Sequence, residues 1–361
     1  MDENQSTRIS RRQQLLRRGQ PTIPFDRRIK TLADLQSHLQ TAIELEHSTI
    51  PPYLCALYSI QDGGNVEAAQ IIKSVVLEEM LHMILAANVL NAIGGEPSLN
   101  HPKFIPEYPT FLPHSDEAFC VNLAKFSKHT IETFLNIERP AKPQAPPEAG
   151  KYHTIAQFYE AIELGLHDLS ADNIFTGAAS RQITPDDYYG GGGEAIPVHD
   201  LTSALQALSE ITGQGEGLHH TIFDGDQEKF GEVQELAHYF RFNEIYLERR
   251  YTAEDTATSG PSGEPLMVQW DQVHPMQPNP KMAQYPQGSE VWRKTYEFNR
   301  TYMALLNELH SALNGKPKRL MQSVVGMYDL KYQAVELMKI PIGAEGMTAG
   351  PSFEYVSNSV A

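Results

Sequence analysis

The chain has 361 residues, a net charge of −16, 41% hydrophobic and 20% charged residues. That acidity argues against nucleic acid or an anionic membrane surface as a principal partner, and the apolar fraction is enough for a sizeable core. Cys55 and Cys120 are the only cysteines, which excludes a disulfide framework or a thiolate-rich metal site and fits a reducing, cytoplasmic setting. There is no run of 18 apolar residues and no apolar N-terminal segment, so neither a membrane span nor a secretory signal is expected.

Residues 1–30 form a basic arm, with Arg8, Arg11, Arg12, Arg17, Arg18, Arg27, Arg28 and Lys30 against Asp2, Glu3 and Asp26. Such an arm can dock on an acidic body, including that of a second copy in a homo-oligomer. The first helical pattern runs from about Leu32 to Ile60, with Leu35, Leu39, Ala42, Glu46, Thr49 and Tyr53 along one stripe. Pro51-Pro52 predicts a kink or restart within it. After a turn at 61–65, a helix over about 66–93 is apolar on nearly every face and is therefore read as buried. Gly94-Gly95 closes it. A long proline-rich connection (95–153) carries a short helix near 117–136. A further helix follows over about 154–169, then the loop Tyr188-Tyr-Gly-Gly-Gly-Gly193, a surface excursion or a lid. Helices over about 201–219 and 229–250 are expected to join at Asp224-Gly-Asp226. Residues 251–290 read as a linker or belt, and 290–340 as a helical hairpin turning at Gly315-Lys-Pro317. The chain thus divides into the arm (1–30), an all-α four-helix bundle with extra helices and long insertions (31–250), and a linker, hairpin and tail packed on the bundle (251–361).

Four Glu-x-x-His turns occur, at Glu44/His47, Glu79/His82, Glu216/His219 and Glu235/His238. The spacing aims carboxylate and imidazole the same way from one helical turn. Inside apolar helices such groups are costly unless they are paired or bind metal. Two inward Glu-x-x-His turns plus one Glu from each of two further helices form the ligand set of dinuclear carboxylate bundles. In antiparallel helices, facing residues lie equally far from the turn. Glu46 and Glu79 are centred on Asp62-Gly63, and Glu216 and Glu235 on Asp224-Gly-Asp226. The expected ligands are therefore Glu46, Glu79, His82, Glu216, Glu235 and His238. Glu210 and Glu163 are alternatives to Glu216, Glu160 ranks lower, and His47 and His219 are placed outside the ligand set. Oxygen and imidazole donors without thiolate suit two iron ions, or manganese, better than zinc. Tyr53, about two turns from Glu46, is a candidate for proton or electron transfer, or else a packed core tyrosine.

The stretches Ile43-Glu-Leu-Glu-His-Ser-Thr-Ile-Pro-Pro-Tyr-Leu54, Leu77-Glu-Glu-Met-Leu-His-Met83, Gln214-Gly-Glu-Gly217, His238-Tyr-Phe-Arg-Phe242 and Gly350-Pro-Ser-Phe353 resemble the ferritin-like family associated with iminophenyl-pyruvate dimer synthases. That family includes the ferritin-like part of the imine-coupling enzymes of violacein and rebeccamycin biosynthesis. The resemblance spans most of residues 31–355 and implies a metal-dependent oxidoreductase on a four-helix bundle. The large synthases carry a long additional region with no counterpart here, so imine coupling does not follow from it. The expected activity is O2-dependent oxidation of a small molecule, in natural-product biosynthesis. The alternatives are ferritin-type iron handling or storage, or a metal-free scaffold.

Overall fold

The computed structural model describes residues 28–112, 120–140, 155–188, 191–216, 221–227, 234–343 and 346–357. The basic arm thus falls largely outside the described residues. At its end, Arg28 pairs with Asp168 at 3.1 Å.

Eight helices and one small hairpin make up the described chain. Helix α1 (Leu32–Ser59) starts at Thr31, whose hydroxyl accepts from the Asp34 amide at 3.1 Å and so satisfies one orphan donor. It runs through Pro51 and Pro52 without a break, against the expected restart. Pro52 cannot donate to the carbonyl of Ser48; the Tyr108 hydroxyl donates to that oxygen instead, at 2.8 Å. Helix α2 (Val66–Ala92) lies antiparallel to α1 across a short turn and is buried on nearly all faces. It is long and apolar enough to cross a membrane, yet 89% of its most apolar window lies inside the protein.

Helix α3 (Lys128–Ile137) is capped by Ser127. Helices α4 (Ile155–Leu169) and α5 (Leu201–Glu216) pack on each other, α4 on α1 and α5 on α2, which completes a four-helix bundle. The all-α bundle with additional helices and insertions therefore stands as expected.

The segment after α5 differs. Instead of one helix over 229–250, the chain forms an antiparallel hairpin of β1 (Phe223–Gln227) and β2 (Gln234–Leu236), and only then α6 (His238–Leu247). Pairing across the hairpin, with Ile222, Ala237 and Phe240 in a small core of their own, outweighs the helical periodicity of this stretch. The Asp224-Gly-Asp226 stretch is consequently strand and not a helix–helix turn.

Helices α7 (Glu290–Leu313) and α8 (Leu320–Met338) form the expected hairpin. It packs on α1 and α2, and its buried residues join the same hydrophobic cluster as those of the bundle. Helices α3 and α6 pack together at the bundle's side, where α3 reaches α1 and α6 reaches α2.

Candidate metal centre

Helix α1 turns Glu46 inward and α2 turns Glu79 and His82 inward, leaving all three at most 4% exposed. Nδ1 of His82 lies 3.5 Å from Glu46 Oε2 and 3.9 Å from Glu79 Oε1. His238, the first residue of α6, is fully buried, with Nδ1 3.0 Å from Glu79 Oε1 and 3.5 Å from Glu138 Oε2. Glu138 follows the last turn of α3 and is also buried. Two groups result, Glu46–Glu79–His82 and Glu79–Glu138–His238, each with ligand atoms mutually within 4.8 Å. Glu79 belongs to both, the position of a bridging carboxylate. The two imidazoles stack with centroids 5.4 Å apart.

Each donor is oriented from behind. His82 Nε2 lies 2.8 Å from Oε1 of Gln214 on α5, whose amide nitrogen donates to the carbonyl of Gly192 at 2.9 Å. His238 Nε2 lies 2.8 Å from Glu78 Oε2. Both rings therefore turn Nδ1 toward the carboxylates, an arrangement in which the outer nitrogen is held by an acceptor and the inner one is left for metal. Tyr159 of α4 donates its hydroxyl to Glu46, and Tyr53 donates its hydroxyl to Glu138. Thr49 donates to Glu79 Oε2 at 3.0 Å. The glycine-rich loop closes over this outer layer. A Cβ on Gly192, which has φ +82°, would stand 2.4 Å from Glu78 Cγ, so only glycine admits the contact.

Burial and mutual repulsion leave the metal-free cluster electrostatically tense. Burial first, then the charges of Glu138 and Glu46, push the Glu79 carboxyl up to about 8. Glu46 is also opposed by burial, but hydrogen bonding and attraction to His82, with further hydrogen bonds to Glu79 and Tyr159, hold it below its usual range. Burial disfavours the charged form of both imidazoles, yet the surrounding carboxylates raise His82 above its usual value and His238 well above it. Without metal, then, the carboxylates favour the protonated imidazoles, and the imidazoles in turn favour ionised carboxylates. Nδ1 of His238 still lacks a hydrogen bond of proper geometry. Four carboxylate or imidazole side chains around a shared carboxylate, with a buried ring nitrogen left over, fit divalent cations with O/N preference.

Of the sequence-predicted ligands, Glu46, Glu79, His82 and His238 come together; Glu235 does not. It lies on β2, and the extended Ala237 separates that strand from α6, so the helical spacing with His238 never forms. Its carboxylate turns to Arg241 at 3.4 Å. Arg241 also donates to Glu78 at 2.6 Å, Asp224 at 2.7 Å, Ser74 at 3.1 Å and the Leu236 carbonyl, clamping the hairpin onto α2. Glu216 closes α5, and its side chain and His219 lie outside the described residues. Glu160 and Glu163 are buried on α4, and Glu210 accepts from Gln214 at 3.4 Å; none of the three joins either group. His47 lies on the other side of α1 against Tyr302. Spacing arguments missed Glu138, Glu78, Gln214 and Tyr159. Glu78 stood in the Glu-Glu-Met-Leu-His motif, but Glu138 sits in a proline-rich connection with no periodic signal.

Among the described residues, a crevice of about 30 Å³ is lined by Glu138, Arg139, Ile155, Tyr159, Ile211 and Thr212 among others, and so lies beside this cluster.

The chain matches the profile of the family described as Ferritin-like over residues 39–247, more than half its length, and belongs to that family. It is similar to dichlorochromopyrrolate synthase of Lentzea aerocolonigenes, with 24% identity over 90% of this chain and 36% of the relative. It is also similar to 2-imino-3-(indol-3-yl)propanoate dimerase of Chromobacterium violaceum, with 26% identity over 90% of this chain and 34% of the relative. The chain thus spans about a third of the length of these curated relatives. A crystal structure of a ferritin-like protein from Caulobacter vibrioides shares the fold, with a TM-score of 0.64 and 22% identity over 90% of this chain and 99% of that one.

Proposed function

We propose that the chain is a dinuclear, iron-dependent oxidoreductase that uses O2 to oxidise a small molecule, with manganese as the alternative metal. The observation that carries this reading is Glu79 shared between two buried carboxylate–imidazole groups. Glu46, Glu79 and His82 would hold one ion, and Glu79, Glu138 and His238 the other. Such a pair supplies redox-active cations with open positions for oxygen and substrate. The protein's part is to orient, shield and move protons. Gln214 and Glu78 fix the two rings, and Arg241 keeps Glu78 anionic, as its lowered pKa requires. Tyr159 and Tyr53 hold protons on Glu46 and Glu138. Burial and the neighbouring carboxylates keep both hydroxyls protonated well above neutrality. Either proton can follow a change of charge on the carboxylate it touches.

The relatives' printed names, a synthase and a dimerase of an indolyl imino acid, support a small-molecule substrate in natural-product biosynthesis. Aromatic 2-imino and 2-oxo acids are the first substrates to try. Coupling itself is not carried over from proteins about three times as long. The test is anaerobic loading with Fe(II), metal analysis, and spectra before and after air. Two irons per chain and an iron-dependent uptake of O2 are expected. Fewer than one metal per chain after loading would overturn the reading, and a 24-subunit hollow shell would favour iron storage instead.

A further inference from the structure

A second cavity lies on the side of the α1–α2 pair turned away from the metal centre. On α1, Glu46, Thr49 and Tyr53 face the carboxylates, whereas His47, Pro51 and Leu54 line the cavity. On α2, Met80 and Met83 line it while Glu79 and His82 face the other way. The α7–α8 hairpin closes it with Tyr302, Leu306 and Met327. A helix layer therefore separates this space from the cluster, and it cannot serve as a mouth of that site.

The cavity holds about 90 Å³ of open space, several times the roughly 10–15 Å³ that one water needs. Its walls are almost wholly aliphatic, aromatic or thioether, so water gains few partners there. Asp187, Tyr188 and Ser323 also line it, and on the α1 wall the polar feature is the His47–Tyr302 pair, with Nε2 2.7 Å from the tyrosine oxygen. His47 is only 3% exposed and packs on Phe104 at 4.4 Å. Its Nδ1 has no hydrogen-bond partner, and a buried polar atom left unpaired is costly unless something supplies one. Methionines on two walls adapt their shape to flat ligands.

We propose that this cavity is a binding site for a compact apolar ring compound bearing one hydrogen-bonding group, which His47 receives. The site is independent of the metal centre. The probe is 2-naphthol, whose hydroxyl both donates and accepts, followed by its fluorescence on titration with chelator-treated and with iron-loaded protein. Saturable 1:1 binding is expected in both preparations. Met327→Trp, made at a half-buried position on the cavity wall, should weaken binding at least tenfold with an unchanged melting temperature. His47→Phe should erase a preference of about fivefold for 2-naphthol over naphthalene. Absence of saturable binding, equal affinity in Met327→Trp, or an unchanged preference in His47→Phe would overturn the proposal. So would binding that vanishes with the metal, which would place the probe at the cluster. A concentration-dependent dimer that Met327→Trp dissolves would give the cavity to a second copy and overturn it too. Iron content plays no part in the supporting result, so failure of the metal reading would leave this one standing.

Discussion

Replacing Glu79 with glutamine should make the metal-free protein more stable while abolishing its ability to hold two metals. Glu79 is buried between Glu46 and Glu138, and burial and those two charges move its pKa from 4.5 to about 8. A carboxyl whose folded value is raised binds more protons folded than unfolded between those limits, so stability falls as pH rises from 4.5 toward 8. At about 1.36 kcal/mol per pH unit, the interval corresponds to a loss on the order of 3–5 kcal/mol. His82 and His238 act in the same direction above 6.5. Their raised values give stability that is full below the unfolded value and lost as pH climbs through the folded one. Glutamine mimics the protonated acid, and its carbonyl can keep the Thr49 hydrogen bond of 3.0 Å. Thermal melting of chelated wild type and Glu79→Gln at pH 5 and pH 8 checks the reasoning. The two should melt together at pH 5, and the variant should melt higher at pH 8, by roughly 5 °C or more. Added Fe(II) should raise the wild type alone. An equal difference at both pH values, or a variant that melts lower at pH 8, would refute the assignment of Glu79 as the strained carboxylate.

Glu138→Gln should reduce bound metal from about two per chain to about one, whereas Glu235→Gln should leave two; elemental analysis after loading distinguishes them. Glu78→Gln, which removes the anionic acceptor behind His238, should weaken one of the two metals about 10–100-fold in a chelator competition and leave the other unchanged. Arg241→Met should strand Glu78 and Asp224 without their cation and destabilise the fold by about 3–5 kcal/mol, measured by denaturant unfolding.

The long helices were legible because periodicity and turns agree over many residues. Leu35, Leu39, Ala42, Glu46 and Tyr53 share one inward stripe of α1, and the turn at 61–65 sets Glu46 level with Glu79. The same turn-distance argument failed for Glu216 and Glu235 because its premise, two helices meeting at Asp224-Gly-Asp226, was false. The strands there, of five and three residues, are too short for periodicity to tell helix from strand. The backbone bond from Ala237 to Ile222, at 3.0 Å, and the Arg241 clamp settle the matter in three dimensions. His238 still reaches the cluster, now as the first residue of a helix. Glu138 could not be found by spacing, because its place depends on α3 docking beside α6.

That docking gives the two halves of the cluster different supports. Glu46 and His82 belong to long helices locked against each other along their length, so their half is preorganised by the bundle core. Glu138 and His238 stand at opposite ends of two ten-residue helices, one at a C-terminus and one at an N-terminus. These depend on α3–α6 packing and on the Arg241 clamp to stay in register. A cation held there draws together chain segments far apart in sequence, so binding at this half is coupled to folding more tightly than at the other. The crevice is lined both by Glu138 of this half and by Tyr159, which holds Glu46 of the other. Among the described residues, no carboxylate of α4 or α5 joins either group of candidate ligands. Tyr159 and Gln214 reach from these helices to hold Glu46 and His82 from behind, so the bundle core orients that half of the cluster through hydrogen bonds.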